Sequence, residues 1–290
     1  MGFLKRASTL PSLGLGLSTE YGAGDADGAL SPLAMAESHP RFAAFLELGV
    51  EVEKGYDTHA QAWIAQGRPT TYHFLDVNLD EDEDFDEAWL TGLRQLIDQA
   101  RPAWLCGDAG LWHFGPRERG QMLLLPPVLI DESAEAMAHG VAQLRELTGH
   151  EVLPENPPGT AFVGDLHLLD YFARVAERAD TGLLLDVAHL ALYQRVMGHD
   201  ALVGLDAFPL ERVVEVHIAG GKERNTDGFS WVEDTHSVDV LEDTWRIFER
   251  VVAGATHLKA IVFECERNAA SDVVAGFSRI EDLWPAGPNR

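Results

Sequence analysis

Short apolar runs rich in valine, isoleucine and leucine alternate with longer segments of helical periodicity along this chain. Buried parallel strands have nearly continuous apolar sequences, whereas amphipathic helices repeat their apolar positions every three to four residues. The pattern predicts eight strands, at 13–18, 49–54, 70–76, 103–108, 150–156, 181–187, 213–220 and 258–266. It predicts helices between them, among others at 85–100, 133–149, 166–180 and 238–254.

The alternation of strands and helices predicts parallel pairing, because parallel neighbours need a crossover connection. Eight such strands favour an α/β fold with a single (β/α)8 barrel of the TIM type over residues 1–290, with an open doubly wound sheet as the alternative. The helix at 133–149 is expected to begin at a serine cap, Ser133, and to end at Gly149. The polar segment 221–237 is an insertion after the seventh strand, where barrel loops carry function.

The composition favours a cytoplasmic protein that binds neither nucleic acid nor a membrane. The chain has 290 residues and a net charge of -25, which repels a phosphate backbone. Its two cysteines, Cys106 and Cys265, suit a reducing compartment. No apolar run approaches the roughly 18 to 20 residues that span a bilayer, and the amino-terminal sequence lacks the apolar stretch of a signal peptide.

Ionisable residues occur at the predicted carboxyl end of most strands, which is where the active sites of such barrels lie. They are Glu53, His73, Asp108, Glu155, Asp186, Glu215, His217, Glu264 and Glu266. Side chains alternate along a strand, so Val216 and Ile218 face the helices while Glu215 and His217 face the barrel axis. The same parity places Glu53 on an inward face.

Carboxylates that converge on one mouth repel each other, and each buried ion costs several kcal/mol unless it is paired or bound to a metal. Carboxylates mixed with His73, His189, His217 and His236 form a donor set that suits iron, manganese or zinc. The sequence therefore predicts a metal site at the mouth. A single histidine or aspartate at a strand end is as often structural as functional, and Glu215 fits a supporting role as well as ligation.

Nine segments resemble the multinuclear non-haem iron-dependent oxidative enzymes, whose best known member is the oxidase of methanobactin biosynthesis. In family order they are GLGLS (14–18), VEVEKGY (50–56), YHFLDVNL (72–79), LLLPP (123–127), LPENPP (153–158), TGLLLDVAHL (181–190), VVEVHIAGG (213–221), EDTHSV (233–238) and VFECE (262–266). The resemblance covers almost the whole chain and is most specific over 151–267.

This resemblance implies a barrel that holds two or three iron ions, with dioxygen as co-substrate. It also implies a cysteine-containing ribosomal peptide as substrate, often presented by a small recognition protein. The implied ligands are His73, Glu155, Asp186, His189, His217, Asp234, His236 and Glu264. Among them Asp186, His217 and Glu264 are the expected catalytic residues, and Asn156, Glu215 and Glu266 are expected to support the ligands.

Two motifs depart from the family pattern. Where the family has Ser-Asp-His after the fourth strand, this chain has GDAG at 107–110, so Asp108 is kept and Ala109 replaces the histidine. Where the family has His-Pro-Glu-Asn after the second strand, this chain has EKGY, and Glu53 is the expected substitute ligand. We therefore expect two firmly bound irons and a third position that is empty or partly filled.

These residues are compatible with three functions. The first is an iron-dependent oxidase that removes hydrogen from the carbon next to sulfur in a peptide cysteine, or acts on a neighbouring residue. The second is a divalent-metal isomerase or hydrolase of a sugar or phosphate ester, which would use the same ligands. The third is an inactive barrel that stores metal or serves as a binding scaffold, and Ala109 is the feature that favours it.

Overall fold

A closed ring of parallel strands forms the centre of the molecule. The computed structural model describes residues 2–19, 30–117, 123–226 and 228–284, with the backbone alone at 229–230. The predicted domain over 1–290 therefore includes segments outside the described residues, and its extent stays a prediction. None of the described helices has the length and apolar character to cross a membrane.

The elements follow one another in the predicted order. The strands are β1 (Gly14–Thr19), β2 (Phe45–Val50), β3 (Thr70–Phe74), β4 (Leu105–Asp108), β5 (Val152–Glu155), β6 (Leu183–Asp186), β7 (Val213–Thr226), β8 (Phe229–Ser237) and β9 (Ala260–Glu264). The helices are α1 (Phe3–Ala7), α2 (Pro32–Ser38), α3 (Thr58–Ala65), α4 (Glu87–Ala100), α5 (Asp131–Thr148), α6 (Leu168–Arg178), α7 (Val187–Met197), α8 (Glu242–Gly254) and α9 (Ala270–Leu283).

Strands β1 to β7 pair in chain order, and β9 closes the ring between β7 and β1. Every pairing within this ring is parallel. The predicted (β/α)8 barrel is confirmed. The open sheet is excluded because β9 bonds to the first strand as well as to β7.

The amino-terminal end of the barrel is filled with apolar side chains. Phe45, Trp104 and Val214 belong to an interior cluster that also contains Phe3 and Ala7 of α1. The short helix thus covers this end, while a larger apolar cluster packs the outside of the strands against the helices. Polar side chains that face the axis are consequently gathered toward the opposite, carboxyl end of the barrel.

The second strand lies four residues earlier than its predicted position at 49–54. Glu47 of β2 pairs with Ser18 of β1 on one side and with Thr71 of β3 on the other. The strand ends at Val50, so Glu53 lies beyond it. The alternating pattern continues across 45–54, and pairing with the neighbouring strands decides which part of it is strand.

The insertion at 221–237 is a β-hairpin rather than a loop. Strand β7 continues beyond the barrel to Thr226, and β8 returns antiparallel to it, with a register shift between Gly220 and Gly221. A side chain at Gly220 would place its Cβ 2.2 Å from the carbonyl oxygen of Ser237, so the close approach of the two strands requires glycine. The hairpin brings residues of β8 back over the barrel mouth.

Of the two predicted ends of the helix at 133–149, the carboxyl end is correct and the amino end is wrong. Gly149 ends α5 with a φ of 73°, as predicted. The helix begins earlier, at Asp131, and Ser133 does not cap it. The Ser133 hydroxyl instead forms a hydrogen bond of 3.0 Å with the Tyr171 hydroxyl, which ties α5 to α6.

Candidate metal centre

A cluster of buried carboxylates and imidazoles occupies the carboxyl end of the barrel. Each strand from β3 to β7, as well as β9, contributes a residue, and α7 and the β8 arm of the hairpin contribute the rest. The members are His73, Asp108, Glu155, Asp186, His217, Glu264, His189, Asp234 and His236. All of the expected ligands except Glu53 are thus brought together.

The prediction that Glu53 belongs to the site is wrong. Its side chain is exposed and lines a separate surface cavity beside Trp89. Its place is taken by Glu47, which the sequence reasoning missed: Glu47 is 2% exposed and its Oε1 lies 3.0 Å from Nε2 of His217. The signal was present, because Glu47 stands between the buried Leu46 and Leu48 as a lone charged residue in an apolar run.

Glu155 is at the centre of the cluster. Its Oε2 lies 2.8 Å from Nε2 of His73. Its Oε1 lies 3.4 Å from Nδ1 of His217 and 3.5 Å from Nδ1 of His189. Nδ1 of His217 is also 3.4 Å from Oε1 of Glu264. Three imidazoles therefore surround one carboxylate, and β9 closes the remaining side of the cluster.

The hairpin completes the outer side of the cluster. Oδ2 of Asp234 lies 3.1 Å from Nε2 of His189 and 3.3 Å from Nε2 of His236. The same nitrogen of His236 is 3.7 Å from Oε2 of Glu264. The other nitrogen, Nδ1, lies 3.0 Å from Oε2 of Glu266, a contact that would hold the imidazole from the side away from the cluster.

Asn156 orients two members of the cluster. Its amide donates to the backbone carbonyl of Asp186 at 2.9 Å and accepts from the backbone N–H of the same residue at 3.0 Å. The Asn156 carbonyl lies 2.9 Å from Nδ1 of His189. With Nδ1 donating to this carbonyl, Nε2 faces Asp186 and Asp234 and, without metal, donates to Asp234 at 3.1 Å. Once Nε2 loses its proton, its lone pair would be available to a metal ion, which is the orientation that second-layer hydrogen bonds give to metal-binding histidines.

Asp186 has two separate roles. Its Oδ1 accepts a hydrogen bond of 2.7 Å from the backbone N–H of His189 and so caps α7. Its Oδ2 is buried and has no hydrogen-bond partner among the described residues. The cap fixes the carboxylate, and the second oxygen remains available for a ligand.

Several other donor atoms of the cluster are buried without a hydrogen-bond partner in the described part of the chain. They are Asp108 Oδ1, His217 Nδ1, Asp234 Oδ1 and Glu264 Oε2. A buried polar atom left unpaired costs about 1–3 kcal/mol, so this many in one place favour an additional partner, either ordered water or an ion. A bound cation is the partner that suits carboxylate oxygens and imidazole nitrogens together.

The donor atoms fall into overlapping groups of three whose members all lie within 4.8 Å of one another. These groups include His73 with Asp108 and Glu155, Glu155 with Asp186 and His189, Asp186 with His217 and Glu264, and Glu47 with His73 and His217. A single ion cannot use all of these groups at once. The residues therefore fit more than one metal ion.

The pKa values show how the cluster balances its charge without metal. Burial, together with the charge of Glu155, raises the pKa of Asp108 to about 8. Burial lowers the pKa of His73, but the carboxylates of Glu47 and Glu155 outweigh it and raise that pKa to about 9. Imidazolium ions thus act as the counter-charges. Metal binding would displace these protons, since ligating histidines must be neutral.

A cavity of about 360 Å³ opens above the cluster. The carboxylates and imidazoles form its polar floor, and Trp112, Leu124 and Pro158 give it an apolar wall. Ala109, which stands where the histidine was expected, is fully buried and belongs to the larger apolar cluster. Asp108 beside it lines the cavity. The fourth strand thus supplies one candidate ligand instead of two.

Comparison with known proteins identifies the family. Residues 30–283 match the family described as RiPP precursor modification enzyme MbnB/TglH/ChrH. The chain belongs to this family. The match extends from α2 to α9 and contains every residue of the polar cluster. The resemblance drawn from the motifs is therefore confirmed for this MbnB/TglH/ChrH chain.

Relatives of this MbnB/TglH/ChrH chain include UPF0276 proteins of three bacteria. The protein of Caulobacter vibrioides (strain NA1000 / CB15N) is 28% identical over 251 residues, which cover 84% of each chain. The protein of Bordetella pertussis is 28% identical over 218 residues, 72% of this chain and 74% of the relative. The protein of Anaeromyxobacter sp. is 26% identical over 186 residues, and there the alignment spans 63% of this chain and 64% of the relative.

Solved structures share the fold at low sequence identity. A xylose isomerase-like TIM barrel protein from Mycobacterium smegmatis, in complex with magnesium, has a TM-score of 0.60 at 11% identity and covers 97% of this chain and 98% of its own. A protein from Thermus thermophilus, soaked with zinc chloride, has a TM-score of 0.54 at 15% identity, with 95% and 99% covered. These likenesses establish the barrel architecture.

Proposed function

We propose that this protein is a multinuclear iron-dependent oxidase that uses dioxygen to modify a cysteine, or a neighbouring residue, of a ribosomally made peptide. Membership of a family of RiPP precursor modification enzymes supports a peptide substrate. The observation that carries the metal chemistry is the set of buried, unpartnered donor atoms on Asp108, Asp186, His217, Asp234 and Glu264.

The donor groups suggest which residues would hold each ion. Asp186, His217 and Glu264 would hold one, and Glu155 with His189 would complete a second position next to it. A third position near β4 has fewer ligands because of Ala109, and we expect it to be the weakest. Bound iron would supply dioxygen activation and one-electron redox chemistry that the side chains lack.

The chain itself would position the substrate and exclude water. The cavity above the cluster has room for a side chain and its flanking backbone, rather than for a folded partner. A cysteine would enter along the apolar wall of Trp112, Leu124 and Pro158, which suits its weakly polar thiol. Asn156 would keep Asp186 and His189 in place during turnover, since preorganised ligands need no rearrangement.

The test begins with metal content. Protein purified without oxygen after iron supplementation should hold about two irons per chain, because the donors form more than one group of three ligands. The iron-loaded protein, mixed with a cysteine-containing precursor peptide, should consume dioxygen and change the mass of the peptide. The same peptide with serine in place of cysteine is the matched control.

A different outcome would replace the proposal. Carboxylates and imidazoles also suit zinc, manganese and magnesium, which serve isomerases and hydrolases that leave the oxidation state unchanged. Zinc as the sole bound metal, with no dioxygen consumption after ferrous loading, would favour that second function. Tight iron binding without any change in the peptide would favour the inactive scaffold.

A further inference from the structure

A second polar layer lies inside the barrel, one level below the candidate metal centre. It is formed by Glu47 of β2, Thr71 of β3, Cys106 of β4 and Glu215 of β7. Glu47 is 2% exposed, and the other three side chains are fully buried. Acidic residues at this depth need partners, because water cannot reach them.

Three donor atoms of this layer have the spacing of a metal site. The sulfur of Cys106 donates a hydrogen bond to Oε2 of Glu47 at 3.2 Å. Glu47, Cys106 and Glu215 each offer one ligand atom, and these three atoms all lie within 4.8 Å of one another. Two ligands of one ion lie at most twice a metal–ligand bond length apart. With bonds of roughly 2.0 to 2.3 Å for carboxylate and thiolate ligands, this limit is compatible with a shared ion.

Glu215 provides an independent indication of a missing partner. Its Oε2 accepts a hydrogen bond of 2.6 Å from the indole N–H of Trp104, which fixes the carboxyl group. Its Oε1 is buried and makes no hydrogen bond of normal geometry within the residues that the structure describes, and the Cys106 thiol lies beside the carboxyl group. The carboxyl group that carries this unpartnered oxygen belongs to the group of three with Cys106 and Glu47.

We propose that Glu47, Cys106 and Glu215 form a separate binding site for one divalent transition metal ion with a thiolate ligand. Zinc, cobalt(II) and iron(II) are the ions that accept a thiolate together with carboxylates. On binding, the ion takes up the thiolate and the two carboxylates, and the thiol proton, with any proton on Glu215, is released to solvent. No oxidant or reductant takes part.

Glu47 connects this deep site to the centre above. Both of its carboxylate oxygens lie near Nε2 of His217, Oε1 at 3.0 Å and Oε2 at 3.1 Å. Oε2 also accepts hydrogen bonds from the Cys106 thiol at 3.2 Å and from the Thr71 hydroxyl at 3.4 Å. The Glu47 carboxylate therefore contacts both the upper cluster and the deep site. Cys106 belongs to the interior apolar cluster with Phe45 and Val262, whereas Glu47 lines the cavity above, so we expect an ion to enter from the cavity side. The site does not depend on the reaction catalysed above it.

Cobalt(II) titration of the full chain tests the assignment without any activity measurement. A cobalt–thiolate bond gives an intense charge-transfer absorption in the near ultraviolet that carboxylates and imidazoles do not give. Chelator-stripped wild-type protein should develop this band under anaerobic titration. Cys106→Ser should lose the band and about one cobalt per chain, because serine is a poor ligand for a soft site.

The second cysteine provides the matched control. Cys265 is also buried, but its sulfur donates to the backbone carbonyl of Phe263 at 3.2 Å. Cys265→Ser should keep the band. Glu215→Gln, which preserves shape, should weaken the affinity that the band reports by at least about tenfold. A wild-type protein without the band at saturation, a band that survives Cys106→Ser, or an unchanged Glu215→Gln titration would each overturn the assignment.

Discussion

Glu47 and Glu53 show at the residue scale what the sequence alone could not decide. Both have the inward parity of one alternating run, and both are flanked by apolar or β-branched residues on at least one side. Only pairing with β1 and β3 selects Glu47 as the buried one. A shift by an even number of residues preserves parity, so alternation predicts the face of a strand but not its end.

Substituting these two glutamates one at a time distinguishes a residue of the candidate metal centre from a residue on the surface. Glu47→Gln should reduce metal affinity by at least about tenfold, because it removes the charge nearest Nε2 of His217. Glu53→Gln should bind metal like the wild type, since its side chain is exposed elsewhere. Isothermal titration with ferrous or zinc ions measures both. Equal losses in the two variants would contradict the placement of β2.

Asp186 offers a residue-scale test of ligation against structure. Asp186→Asn keeps an acceptor that caps α7 but removes the charge, so it should lose metal and retain the stability of the metal-free protein. Asp186→Ala should lose metal and also about 1 kcal/mol of stability with the cap. Chemical denaturation of the metal-free variants distinguishes them. If both variants bind metal normally, Asp186 is purely structural.

His217 provides a second test that distinguishes metal ligation from a structural role. Its Nδ1 is buried, makes no hydrogen bond to the described side chains and lies 3.4 Å from both Glu155 and Glu264, where we propose a metal ion. His217→Ala should lose metal while the circular dichroism of the barrel is retained, because the apolar layer below it stays intact. Normal metal content in a variant that unfolds several kcal/mol more easily would assign His217 a structural role instead.

At the scale of elements, the eight barrel strands were predictable because their apolar runs are strong signals in this chain. The hairpin was not, because 221–237 is polar and its strands gain stability from pairing with each other rather than from burial. Of its two expected ligands, His236 was among the histidines of the predicted donor set, whereas Asp234 came from the family resemblance alone. The structure shows how they reach the centre, through an extension of the strand that carries His217.

A substitution at Gly220, at the base of the hairpin, tests whether the hairpin positions its ligands. Gly220→Ala would place a methyl group 2.2 Å from a backbone oxygen of β8, which must then move. We expect lower metal content with little change in the barrel, since Asp234 and His236 would shift together. Gly221→Ala is the matched control, because the nearest atom to its new Cβ is a side-chain carbon of Val232, at 3.0 Å. Full metal content in Gly220→Ala would show that the hairpin ligands are dispensable.

At the scale of the whole molecule, the site could be predicted because the active sites of parallel barrels lie at the carboxyl ends of the strands. This rule brings together ligand-type residues that are far apart in the sequence. It needed only the order of strands, which the chain's periodicity supplied. The rule could not supply the partners of each residue. Glu215, two residues before His217, was expected to lie deeper in a supporting role, and the structure adds its hydrogen bond with the indole N–H of Trp104.

Metal removal should destabilise the entire barrel. The chain has a net charge of -25, and the cluster concentrates carboxylates from most of the strands in its interior. A metal that binds only the folded state adds about 2.7 kcal/mol of stability at a hundred times its dissociation constant. Chelation should therefore lower the thermal midpoint, and ferrous ions should restore it. An unchanged midpoint after complete removal, verified by elemental analysis, would contradict a shared centre.

The closure of the ring by β9 also has a consequence for how the centre is made. Glu264 lies on β9, and this strand takes its place between β1 and β7 only when nearly the whole family region has been synthesised. Contacts that join such distant parts of a chain form late in folding. A nascent polypeptide still on the ribosome lacks this wall of the cluster. We therefore expect the proposed centre to take up its ions after translation, so that the cell must supply them to a finished barrel.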